Sequence, residues 1–223
     1  MCGRFALTMP HAAMAQAFAA APANDLPGGP RWNVCPTTQI AAVLADDGAR
    51  RLVPMRWGFL PHWYDGPTAG PLIINARAET VATKPAFRDA VRSRRCLIPA
   101  SGFYEWTVDA EGLRLPWYFH PAEGEVIAFA GVWQPWGPEG IRTCAIVSCA
   151  AGPTMEGVHH REPVTLAPKD WPLWLGEAGH GAAALMRPAP EGRLRRHRVS
   201  RAVNSNRAEG PELIEPLIDD EDR

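Results

Sequence analysis

Apolar and polar residues alternate in short runs along most of this chain, and turn residues separate the runs at close intervals, the pattern of strands joined by tight connections. Phe5 to Thr8 reads as a first strand. Met14, Ala17, Phe18 and Ala21 then recur at helical spacing in an alanine-rich stretch, which predicts an amphipathic surface helix. Pro10, His11 and Gln16 interrupt that stretch and no Leu, Ile or Val occurs from Pro10 through Ala23, so it does not read as the apolar region of a signal peptide. Beyond a Pro/Gly loop (Ala23 to Pro30), Gln39 to Ala45 and Arg50 to Met55 flank Asp46-Asp47-Gly48 as a hairpin.

Gly58 to Gly70 is a loop rich in aromatics, Pro and Gly, and Leu72 to Ile74 predicts a short buried strand. Lys84 to Arg92 reads as a short helix. Strands are predicted at Cys96 to Pro99, Phe103 to Trp106, Leu115 to His120, Val126 to Trp133 and Thr143 to Cys149. Pro168 to Leu175 and Ala182 to Met186 look helical, and Arg193 to Val203 extended. Strands following one another through short turns pair antiparallel. The expected fold is therefore α+β, with a mostly antiparallel curled sheet or barrel-like core and a few short flanking helices. A single domain is expected over residues 1–216, with 217–223 an acidic, frayed tail.

Composition narrows the class. Hydrophobic residues make up 46% and charged residues 21%, as in a globular protein, and 223 residues suffice for a substantial core. The 20 glycines and 23 prolines are loop-rich but short of the roughly 25–30% that marks disorder. A net charge of −1 supplies no global field toward a polyanion, so any nucleic-acid contact must be local. No stretch is long enough for a membrane helix, and no membrane partner is expected.

The five cysteines (Cys2, Cys35, Cys96, Cys144 and Cys149) form no CxxC pair, and an odd number does not pair fully, which points to an intracellular chain. The last four read as small buried hydrophobes. Cys144, Cys149 and His159 or His160 match no strong zinc spacing, so no metal and no cofactor is expected.

Cys2 is different. If Met1 is removed, as a small second residue favours, Cys2 carries an α-amine (pKa roughly 7.7–8.0) and a thiol (roughly 8.5) on adjacent carbons. Such a 1,2-aminothiol attacks an aldehyde twice, nitrogen giving a Schiff base and sulfur closing a thiazolidine. On Met-Cys-Gly alone, an idle buried thiol is an equal reading. Asn75 alone reads as a turn residue, and Glu105, between Tyr104 and Trp106, as either solvated or buried with a purpose.

Seven segments occur in order: Met1-Cys2-Gly3-Arg4-Phe5, Asn33-Val34-Cys35-Pro36, Trp57-Gly58, Ile74 to Thr80, Gly102-Phe103-Tyr104-Glu105-Trp106, His159-His160-Arg161-Glu162-Pro163, and Val199 to Asn204. From Cys2 to about Pro216 the chain resembles the SOS-response-associated peptidase (SRAP) family, which crosslinks itself to abasic sites in DNA. The resemblance implies a covalent sensor and shield of abasic sites in single-stranded DNA, with lyase-like Schiff-base chemistry and autopeptidase removal of Met1.

It assigns Cys2 as nucleophile, Asn75 as the residue orienting cysteine and sugar, Glu105 as acid/base, and His159 as the proton-transfer group at the sugar oxygen. The family histidine stands four residues before the proline, which selects His159 over His160; His160 occupies a place that is usually acidic. Ser148 stands where threonine is common and is implied as a DNA contact through its hydroxyl. Arg4 and Arg77, within two residues of Cys2 and Asn75, are expected on phosphates flanking the sugar. Trp63 and Tyr64 lie in the loop that the family uses for stacking on bases.

Arg88, Arg92, Arg94 and Arg95 form one basic cluster, and Arg193 to Arg201 holds five arginines and a histidine; each reads equally as a solvated face. The partner expected is single-stranded DNA containing abasic sites, bound by a monomer, in the cytoplasm and at the nucleoid when on DNA. Two other classes stay open. One is an N-terminal-nucleophile amidohydrolase, against which stand Arg4 and the lack of an Arg-Gly-Pro-Asp or His-Asn-Gly segment. The other is a non-covalent single-stranded DNA-binding module in which Cys2 is incidental.

Overall fold

The computed structural model describes residues 2–124 and 126–217; Met1 and the acidic stretch Asp219 to Asp222 lie outside the described residues. From the N-terminus come β1 (Arg4–Leu7), α1 (His11–Phe18), β2 (Ala20–Pro22), β3 (Arg31–Val34), β4 (Gln39–Asp46) and β5 (Ala49–Trp57). Then follow β6 (Asn75–Arg77), α2 (Arg88–Ser93), β7 (Arg95–Ala100), β8 (Gly102–Val108), β9 (Arg114–Pro121) and β10 (Ile127–Trp136). The last elements are β11 (Ile141–Ala150), β12 (Arg161–Pro163), β13 (Thr165–Leu166), α3 (Trp171–Leu175) and β14 (Leu194–Arg198). No helix among the described residues is long and apolar enough to cross a membrane.

The strands form two curled sheets, which makes the fold α+β as expected. One is an open five-stranded antiparallel sheet in the order β14-β9-β8-β1-β3. The other follows β12-β11-β10-β7-β4-β5-β2, with β13 on β10 and β6 on β11. Its pairing path returns on itself through a parallel contact of β5 with β11 and the Val43–Leu97 pair of β4 with β7. Three pairings are parallel, β2 with β5, β5 with β11, and β6 with β11. Each brings together segments distant in sequence, which short-turn logic does not reach.

Local chemistry explains the elements that matter for the site. The β4–β5 hairpin turns through Asp47 (φ 48°) and Gly48 (φ 79°), the two positive-φ positions of a type I′ turn. Between the sheets, Phe5 packs on Trp57 (5.1 Å) and on Phe129 (5.9 Å), and Phe103 stacks on Phe119 (5.0 Å). Full burial of each such ring contributes about 1.5–3 kcal/mol. The strands that carry Arg4 and Glu105 are thus pinned from the core side.

Several boundaries differ from expectation. Leu72 is exposed rather than buried, Ile73 makes only a bridge to Phe59, and the strand proper starts at Asn75. The helix expected from Lys84 starts at Arg88. The extended run from Arg193 ends at Arg198, and Ser200 caps a 3₁₀ turn (Arg201–Asn204) by accepting the Ala202 amide (3.2 Å). That turn folds the Val199–Asn204 motif back over the outer face of the open sheet, where Val199, Val203 and Leu213 pack with Tyr104 and Tyr118.

Candidate active site

Cys2 lies just ahead of β1 and is fully buried, its thiol directed to the Arg4 carbonyl (3.8 Å). Burial pushes the thiol pKa far up, and the Glu105 carboxylate adds to the rise, so the sulfur rests protonated. The other cysteines carry no comparable setting. Cys96, Cys144 and Cys149 are buried, and burial holds Cys144 and Cys149 at about 12. Cys35 is half-buried.

Asn75 opens β6, a three-residue strand held parallel to β11 by the Ile146–Asn75 register. Its Nδ2 donates to the Cys2 carbonyl (3.0 Å). That bond fixes the orientation of the amide, and Oδ1 is left buried with no hydrogen-bond partner among the described residues. An oriented, desolvated acceptor beside Cys2 is costly unless something else donates to it.

Glu105 sits in the middle of β8, opposite Trp117 of β9, and is almost completely buried. Burial raises its pKa above the ordinary carboxylate value, against a smaller opposing effect of Arg114. A folded-state pKa above the unfolded one costs stability as pH rises through it, since the folded state then gives up a proton it holds more tightly. Glu105→Gln is therefore expected to raise the melting temperature at neutral pH and to flatten the decline that sets in as pH rises above the ordinary carboxylate range. An unchanged or steeper decline in thermal melts above that range would show that ionised Glu105 is not the source of the cost.

His159 follows a 3₁₀ turn (Pro153–Met155), with its amide on the Met155 carbonyl (3.2 Å). Nδ1 is held by the Arg161 backbone, 2.9 Å from its amide and 3.1 Å from its carbonyl. Burial lowers the His159 pKa, and His160, stacked on it at 4.4 Å, adds to the lowering. His160 itself is exposed. Arg161 anchors the histidine segment with a two-pronged bond to Glu79 (3.0 and 2.9 Å) and a third to the Ser148 carbonyl (2.7 Å). Glu162, also buried, accepts the Gly152 and Ala189 amides (2.7 and 2.6 Å). The His-His-Arg-Glu-Pro run thus spends its charges holding one histidine in place.

A cleft of about 370 Å³ brings Glu105 and His159 together, lined also by Gly3, Arg4, Trp106, Val108 and Arg114; Cys2 and Asn75 lie outside its lining. A larger hollow of about 820 Å³, between the β4–β5 turn and the end of α3, holds no cysteine or histidine and offers no nucleophile. In the cleft, Arg114 lies over the Trp106 ring (4.7 Å), whose Nε1 donates to Asn204 Oδ1 (2.6 Å). Asn204 Nδ2 in turn holds the Arg114 carbonyl (3.0 Å). Trp106 and Asn204 stand within recognised motifs, whereas no sequence signal singles out Arg114, whose place follows from hairpin pairing.

The expected DNA contacts divide. Arg77 is exposed and makes no ion pair among the described residues. Trp63 is 48% exposed, on the loop that runs into β6. Tyr64 is half-buried and pinned, its hydroxyl donating to Pro71 (3.3 Å) and its carbonyl accepting from Trp136 (3.1 Å). Neither aromatic lines the cleft. Ser148 is fully buried, and its hydroxyl accepts from Arg161 (3.3 Å). Arg4 reaches the cleft wall but turns its guanidinium inward, to Asn33 Oδ1 and the Val203 carbonyl (both 2.8 Å), the Asn204 carbonyl (3.4 Å) and Asn206 Oδ1. Its donors serve protein acceptors.

The sequence profile of the SOS response associated peptidases matches residues 1–206. The chain belongs to the SRAP family. Among relatives, this SRAP chain is 35% identical to the abasic site processing protein YoqW of Bacillus subtilis over 96% of its own length and 99% of the relative's. It is 30% identical to the abasic site processing protein YedK of Escherichia coli over 97% and 100%. With the abasic site processing protein HMCES of Gallus gallus it shares 30% identity over 78% of this chain and 60% of that one. A crystal structure of a Bacteroides thetaiotaomicron protein has the same fold, with a TM-score of 0.85 at 19% identity over 97% of this SRAP chain and 100% of the other. A phage-related protein of Bordetella bronchiseptica superposes with a TM-score of 0.71 at 28% identity over 89% and 94%.

Proposed function

We propose that this SRAP chain captures abasic sites in single-stranded DNA by forming a thiazolidine between Cys2, freed of Met1, and the open-chain sugar aldehyde. One observation carries the reading. Four residues from distant segments converge, since Asn75 bonds Cys2, the Glu105 charge is felt by the Cys2 thiol, and Glu105 and His159 face one cleft. The names of the relatives, abasic site processing proteins, support the same substrate.

The chemistry follows from the geometry. His159 relays a proton to the ring oxygen and takes one from the anomeric hydroxyl as the sugar opens to its aldehyde, with no net proton change. The Cys2 amine adds to the aldehyde carbon, and Glu105, protonated at a higher pH than a free carboxyl, gives a proton to the departing hydroxyl so that water leaves and C=N remains. The thiol then adds to the imine carbon while its proton passes to nitrogen, closing the ring. The balance is one aldehyde plus one aminothiol giving thiazolidine and one water. Asn75 Oδ1 accepts from the sugar hydroxyl or the amine, which relieves its cost when bound. In this reading a single copy binds the strand, shields the lesion and, once on DNA, resides with the nucleoid, and Met1 is removed by the chain itself.

The test is intact-mass spectrometry after mixing the protein with an abasic single-stranded oligonucleotide. The expected species is the Met1-free chain plus oligonucleotide less one water. His159→Ala should slow its formation by roughly 10²-fold or more, the range of positioned general acid–base groups. His160→Ala should change the rate only a few-fold. Absence of any covalent species, with hydrolysis of an amide substrate instead, would replace this reading with that of an N-terminal-nucleophile amidohydrolase. Binding without a covalent bond would leave a non-covalent module.

A further inference from the structure

The β8–β9 hairpin projects past the cleft and ends in a turn whose surface is unlike its surroundings. Val108 and Leu113 flank it, 64% and 47% exposed, as bare apolar side chains beside a polar cleft. The turn is rigid. Asp109 Oδ1 accepts the amides of Leu113 (2.7 Å) and Glu111 (3.1 Å), the Asp109 amide donates to the Leu113 carbonyl (3.1 Å), and Gly112 supplies the positive φ (83°). Val108 pairs across the hairpin with Arg114, and both line the cleft that holds Glu105 and His159.

Arg114 is built to stay extended toward the cleft. The Trp106 ring supports its guanidinium, Asn204 holds its carbonyl, and no ion pair neutralises it among the described residues. The carboxylate of Asp109 is engaged by the turn amides and the Glu111 side chain is exposed at the tip, so the apolar contact comes from Val108 and Leu113 on its flanks, and the cation stands one step inward. A cation at the cleft wall followed by two exposed apolar side chains matches the repeat of a nucleic-acid strand, phosphate then base face.

Resting on the proposed capture of abasic DNA, we infer that this hairpin clamps the nucleotide next to the captured sugar, with Arg114 on its phosphate and Val108 and Leu113 against its base. The contact explains how a chain of net charge −1 whose Arg4 is turned inward grips a strand beside the lesion. It also makes capture depend on a neighbouring base without reading which base it is, because apolar packing on a base face carries no hydrogen-bond pattern.

The experiment measures fluorescence anisotropy of Cys2→Ala protein on single strands holding a tetrahydrofuran abasic analogue, so that binding is separated from crosslinking. Val108→Ser with Leu113→Ser should weaken binding about tenfold with the salt slope unchanged, since only apolar burial is lost. Arg114→Gln should flatten the slope by about 0.7, one phosphate on a single strand. Strands that also lack the base on one side of the lesion should bind the parent protein about tenfold less tightly but leave the Val108/Leu113 double variant nearly indifferent. All substitutions are on the exposed hairpin tip or the cleft rim, and melting curves check that folding is intact. Equal dependence on the flanking base in parent and double variant, or an unchanged slope for Arg114→Gln, would overturn the inference. Covalent capture by the unmodified protein is scored separately: its absence removes the proposed function, and its presence with indifferent hairpin variants removes only the clamp.

Discussion

Extending the chain by even one residue ahead of Cys2 is expected to abolish covalent capture of abasic DNA. The extension turns the nucleophilic nitrogen into an amide, which cannot form a Schiff base. The sulfur cannot compensate alone, because burial and the Glu105 charge hold the thiol protonated. In the proposed mechanism the order of events is therefore amine first and thiol second, the reverse of an ordinary cysteine nucleophile. Cys2→Ala keeps the amine and should still give an imine that borohydride traps, yet no adduct that survives heating without reduction. Denaturing gels of the extended protein, Cys2→Ala and the parent, each with and without borohydride, check both statements. A heat-stable adduct from the extended protein would end the thiazolidine mechanism, whatever the rest of the site does.

How much of this was legible before the fold was known depends on the range of the interaction. The β4–β5 hairpin announces itself through Asp47-Gly48, because the turn needs positive φ at two adjacent positions and few residues supply it. Strands β8 to β11 were readable because they are long and form two hairpins, β8 with β9 and β10 with β11, each closed by a short turn. Strands β12 and β13 have three and two residues, too few for any period to show. Strand β6 has three, and its parallel partner β11 lies far along the chain, so Asn75 looked like a turn residue. The four candidate residues were named through the order of their motifs, while the groups packed against them were not. The anchoring of His159 by Arg161 and Glu79 and the turn-in of Arg4 depend on partners that only the fold brings together. For Ser148 the place in a strand next to the site was legible, while its burial and its bond from Arg161 come from packing.

Arg4 separates most sharply what motif position suggests from what packing dictates. Sitting two residues from Cys2, it looked like a phosphate ligand, but its guanidinium joins β1 to the segment around Val203 and Asn206 and to Asn33 of β3. Asn33 continues the link by donating to the Ser205 and Ala208 carbonyls (3.0 and 2.8 Å). Arg4→Ala would strand at least two buried acceptors, Asn33 Oδ1 and the Val203 carbonyl, at about 1–3 kcal/mol each. A loss of about 3 kcal/mol is expected, a melting shift of about 6–12 °C for a chain of this size. Arg4→Lys should not rescue it, since one ammonium cannot span acceptors that a planar fork reaches in several directions. Hydrogen exchange should quicken in residues 199–213, which lose their tie to β1. Arg77→Ala, on an exposed side chain, should leave melting unchanged and flatten the salt dependence of DNA binding by about 0.7. The two variants thus predict opposite signatures, stability without salt slope for Arg4 and salt slope without stability for Arg77. An Arg4→Ala protein that melts normally and binds with a flattened slope would return that arginine to the phosphates and leave the C-terminal segment held by its apolar contacts alone.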